Sequence, residues 1–98
     1  MTQEQYDALQ EEIRKAGKAA IVFENEAFKE AVANVEQALL AAMRSAPIAE
    51  DKLRLRLLDK YESLFAIVGE LKSAVDTGKL AQEQLSIWEK AKKAMGVN

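Results

Sequence analysis

The segment that most constrains this chain is the stretch from Leu53 to Val75. Leu57, Tyr61, Leu64, Phe65, Val68, Leu71 and Val75 recur at intervals of three and four, which places them along one face of a helix. Leu53, Leu58 and Ile67 widen that face well beyond a single coiled-coil seam. A helix apolar over so much of its circumference needs neighbours on two sides. The preceding helix is expected to supply one of them as an antiparallel hairpin partner, and a further helix or a second subunit the other.

The rest of the chain reads as helix. It is rich in Ala, Leu, Glu, Gln and Lys, all good helix formers, with four Gly and one Pro as its main punctuation. No window alternates apolar and polar residues as a half-buried strand would. Thr2 followed by Gln5 reads as a capping box, and Tyr6, Leu9, Ile13, Ala16, Ala20 and Phe23 then form one stripe. That stripe loses phase near Glu24, Asn25 and Glu26, and a new series runs through Phe28, Val32, Val35, Leu39 and Met43. Two helices with Asn25 as a cap, or one long helix bent there, both satisfy the pattern.

Pro47 pushes Ala46 out of the helical region, so the second helix should end near Ser45. Pro47 also suits the first turn of the next helix, where Glu50 and Asp51 complement the dipole. Asp76, Thr77 and Gly78 read as its stop, with Gly78 in a left-handed cap. A fourth helix carries Leu85, Trp88, Ala91 and Met95 on one side and ends at Gly96. The expectation is a single all-α domain over residues 1–98, with helices at about 3–23, 26–45, 48–76 and 81–95. These would form a small oligomeric bundle built on a hairpin around Ala46 and Pro47.

Composition narrows the function. The chain of 98 residues has neither histidine nor cysteine, which removes the commonest general base, the thiolate nucleophile and disulfides together. Ser45, Ser63, Ser73 and Ser86 have no base to activate them, and Asp59 with Glu62 read as a solvated helix face. No metal-ligand spacing and no glycine-rich phosphate loop is present, so no catalytic residue, metal or cofactor is expected. The apolar runs are too short for a membrane span, and the acidic start MTQEQYDALQEEIRK differs from a signal peptide. A cytoplasmic protein without membrane contact is expected.

The net charge of −2 gives no overall field for nucleic acid. Charge is nonetheless uneven, with five acids against three bases in residues 1–24 and four lysines against two acids in 79–98. Lys52, Arg56 and Lys60 line up four apart on the third helix, with Arg44 across the connection. That row suits a phosphate backbone or an acidic protein surface, although Asp51, Asp59 and the lack of a helix-turn-helix pattern disfavour nucleic acid. Trp88 among Lys90, Lys92 and Lys93 reads as core-end packing with solvated lysines.

The stretch 25–80 carries an Asn-Glu-Ala-Phe entry at 25–28, an Ala/Leu-rich helix and a short connection at Ala46 and Pro47. Arg and Leu then alternate over 53–58, and Val-Asp-Thr-Gly-Lys-Leu follows at 75–80. In these features it resembles small helical proteins encoded by tailed bacteriophages and prophages. The resemblance implies a phage origin, a host-cytoplasmic or virion-associated location, and a part in virion assembly or DNA packaging or in inhibiting a host system.

The sequence thus points to a non-enzymatic homo-oligomer that packs against a phage or host protein through Leu57, Tyr61, Leu64, Phe65, Val68 and Leu71. Two alternatives stand beside an assembly or packaging role. One is a counter-defence factor that binds a host protein or a small nucleotide ligand. The other is a nucleic-acid accessory using the basic row.

Overall fold

A computed structural model describes residues 1–96, so residues 97 and 98 of the expected domain lie outside it. The described chain is all helical: α1 spans Gln3–Phe23, α2 spans Glu26–Ser45 and α3 spans Asp51–Ala94. Local chemistry accounts for the boundaries. Thr2 Oγ1 accepts from the Gln5 backbone N–H at 3.1 Å, and Gln5 Oε1 accepts from the Thr2 N–H at 2.8 Å, closing the capping box. Asn25 Oδ1 accepts from the Phe28 N–H at 2.9 Å, so α1 and α2 are separate helices broken at Glu24 and Asn25. Ala46 is extended (φ −65°, ψ 130°), as the following proline requires.

The sequence reading is corrected at four points. The third helix starts at Asp51 instead of near residue 48, because Pro47 to Glu50 form a turn closed by the Glu50 N–H on the Pro47 carbonyl at 3.0 Å. The third and fourth helices are one helix of 44 residues that runs unbroken through Asp76, Thr77 and Gly78. Gly78 has no left-handed cap conformation, and the positive φ belongs to Gly96 at 73°. On α2, Val35 faces outward while Glu36 is half-buried, so the inward face turns by one residue there.

Gly78 explains why α3 continues. A Cβ at that position would overlap the Cβ of Ala16 outright and lie 3.3 Å from the Glu12 carbonyl oxygen. The glycine is therefore a point of close approach between α1 and α3, and the packing it permits offsets its poor helix propensity. Around it lie Ala19, Ala81 and Leu85, which with Gly78 are the buried residues among those described. Tyr6 meets Trp88 with ring centroids 6.2 Å apart, and Phe23 lines a hollow with Val68. Residue numbers thus fall along α3 as they rise along α1, so the two helices run antiparallel.

The α1–α3 seam is the main tertiary contact, and α2 packs more sparsely on the N-terminal half of α3. Phe28, Val32, Glu36, Leu39 and Met43 are only half-buried, and no residue of α2 is buried. The molecule is a rod of 71 × 26 × 17 Å, little longer than α3 itself, which spans about 66 Å at 1.5 Å per residue. Its radius of gyration is 20.6 Å, where a compact domain of this length has about 12.6 Å.

Candidate interaction surface

A rod with so small a core leaves apolar surface uncovered. The accessible surface is 7532 Å², against about 5,600 Å² for a compact monomer of this mass. The excess of roughly 1,900 Å² is on the scale of a full protein–protein interface. Exposed apolar side chains are spread along the rod: Leu53, Leu55, Leu58, Phe65 and Ile67 on the N-terminal half of α3, Leu80 and Ile87 on its C-terminal half with Met95 just beyond, Ile21 and Val22 on α1, and Val35 and Ile48 on α2 and the connection.

Of the six residues read from the sequence as an interface, Leu57, Tyr61, Leu64, Val68 and Leu71 are half-covered by the chain's own helices, and Phe65 stands 49% exposed. Phe65 leans against Tyr61 at 4.8 Å between ring centroids and 55° between planes, which fixes its ring on the outer side of α3. Leu55 and Leu58 lie on the same outer side, and Gly69 follows Phe65 by one turn. Periodicity centred on Leu57 passes over Leu55 and Gly69. A second series alternating by three and four (Leu55, Leu58, Glu62, Phe65, Gly69, Lys72, Asp76) is the signal that locates them.

The basic residues Arg44, Lys52, Arg56 and Lys60 are all exposed, and none forms an ion pair among the described residues. Lys52 and Arg56 line a shallow hollow of about 670 Å³ with Glu50, Asp51 and Leu53. Arg54, which sequence spacing did not single out, lies in the same turns. These bases crowd the positive end of the α3 dipole and are offset locally by Asp51.

At the other end of the rod, Met1, Thr2, Gln3 and Tyr6 of one arm face Trp88, Glu89, Lys92 and Lys93 across an open cleft of about 580 Å³. The Lys92 ammonium sits 5.0 Å from the Trp88 ring centroid, a cation–π contact that occupies the indole face. Trp88 and Tyr6 thus close the end of the α1–α3 seam, and the lysines lie outside it.

No ionisable side chain among the described residues is fully buried. Glu11 accepts from the Arg14 guanidinium at 2.8 Å on the exposed face of α1, which holds its carboxyl below the usual carboxylate range and raises Arg14. No cluster of three or more acidic, His or Cys residues able to hold a metal occurs among the described residues. No described helix is long and apolar enough to cross a membrane. Comparison with known protein families, curated proteins and solved structures finds no match for the chain.

Proposed function

We propose that this protein is a non-enzymatic helical module that works by packing the outer face of α3 against other protein chains, its own copies first among them. The observation that carries this reading is the exposed set Leu55, Leu58 and Phe65 on one side of α3, in a rod whose surface exceeds that of a compact monomer. Burying such side chains is favourable by roughly 1.5–3 kcal/mol each when complete, so a few per copy drive association. The setting we propose is virion assembly or DNA packaging, and it rests on the resemblance of residues 25–80 to phage-encoded helical proteins.

The test is the paired variant Leu58→Glu, Phe65→Glu. Both positions face solvent within the chain, so the helical circular dichroism should persist while association is lost. Unchanged association by the paired variant would overturn the reading.

A second reading is favoured by the unpaired bases at the start of α3. An anionic partner seated against Lys52 and Arg56 would relieve their opposition to the helix dipole. Such binding would weaken steeply with salt.

A further inference from the structure

The glycines of α3 differ in their surroundings. Gly78 is used for close approach, with Ala16 of α1 occupying the space its side chain would fill. Gly69 sits in the middle of the same helix, and nothing lies within 4 Å of the position its Cβ would take. A glycine in a helix interior destabilises it by roughly 0.5–1 kcal/mol relative to alanine, and nothing within the chain offsets that at Gly69. One turn earlier stands the half-exposed Phe65.

These features lie on one seam. Leu55, Leu58, Glu62, Phe65, Gly69, Lys72 and Asp76 are spaced alternately three and four, the spacing of a two-helix contact. Reversed on itself, the seam matches at its centre. With a two-fold axis at the level of residue 67, residue 65 of one copy meets residue 69 of the other and residue 62 meets residue 72, while Leu58 comes to lie beside Asp76 at the edge of the contact. The ring of Phe65 then fills the hole above Gly69, and Glu62 lies beside Lys72. Glu62 has no ion pair among the described residues, and Lys72 reaches Asp76 only at 4.0 Å.

We propose that two copies of this chain pair antiparallel along the outer seam of α3, with Phe65 of each seated over Gly69 of the other. This rests on the reading that the outer face of α3 binds protein, and it names the partner and its orientation. A standard interface takes about 800 Å² from each partner, and this seam offers it the exposed side chains of Leu55, Leu58 and Phe65. An isologous contact closes on itself, so the seam is used once per copy.

Two measurements test it. Gly69→Leu adds a side chain into open space within one chain, so helical content is retained, but it fills the hole that Phe65 needs. The dissociation constant should rise about tenfold or more, while Gly17→Leu, on the exposed side of α1, leaves it unchanged. Because the chain contains no cysteine, single spin labels are placed cleanly at Ser73→Cys and Glu83→Cys. Antiparallel pairing about residue 67 puts like labels about 20 Å apart at 73 and about 50 Å apart at 83, from a rise of 1.5 Å per residue. A dimer indifferent to Gly69→Leu, or equally short distances at both positions, overturns the antiparallel seam and leaves the protein-binding reading standing. A monomer at high micromolar concentration overturns both.

Discussion

Replacing Gly78 with alanine sets two well-characterised effects against each other. In an exposed helix the change is favourable by roughly 0.5–1 kcal/mol, because glycine loses the most backbone freedom on folding. At Gly78 the added methyl would coincide with the Cβ of Ala16 and press on the Glu12 carbonyl at 3.3 Å. Both obstacles belong to α1, so neither can swing aside as a flexible side chain would. The helices must separate, and separation loosens the contacts of Ala19, Ala81 and Leu85, the buried apolar residues of the described chain. Overpacking of this kind costs typically 1–3 kcal/mol. The net expectation is about 1–2 kcal/mol of destabilisation, a fall in melting temperature of roughly 4–16 °C for a domain of this size. The control is Gly17→Ala on α1, where nothing lies within 4 Å of the new methyl and only the propensity gain applies. Thermal melts by circular dichroism, at one fixed protein concentration because association is linked to stability, should therefore move in opposite directions for the two variants. If both melt above the parent protein by similar amounts, the close approach of α1 and α3 at Gly78 is refuted.

Asn25→Ala removes the side-chain acceptor for the Phe28 N–H and should cost about 1 kcal/mol in a denaturant titration; no loss would mean that the α1–α2 break does not depend on that cap. Reversing Lys52, Arg56 and Lys60 to Glu should leave the melting temperature and association almost unchanged, since isolated exposed charges contribute under about 1 kcal/mol. Tight, salt-sensitive binding of DNA or RNA that this reversal abolishes would instead favour the anion reading. Glu11 has its carboxyl lowered by Arg14, so its contribution is present above the ordinary carboxylate range and is lost as the pH falls through the lowered folded value. The pair is fully exposed and the chain has no histidine, so melts at about pH 6 and pH 8 should coincide.

The helical class, the caps at Thr2 and Asn25 and the exit at Ala46 were legible because each depends on residues adjacent in sequence. The α1 stripe was legible for a related reason, since a single period fixes a face. What sequence could not separate were the two uses of glycine. At Gly78 the sequence Asp-Thr-Gly suggests a stop through backbone freedom, whereas the fold uses the absence of a side chain, and that depends on Ala16 more than sixty residues away. Val35 shows the same limit on α2, where either Val35 or Glu36 fits a helical period and packing selects Glu36 for the inward side. The wide apolar band on α3 was visible, but which edge the chain covers for itself depends on where α2 lies. That leaves Phe65 outward while Leu57, Leu64 and Leu71 turn inward.

Sedimentation equilibrium of the unmodified protein across a dilution series reads self-association itself, because the exposed face of α3 predicts it without any added partner. The weight-average mass should climb from the chain mass of 10.9 kDa toward twice that value as concentration rises. A mass that stays at 10.9 kDa up to high micromolar concentration would contradict the account.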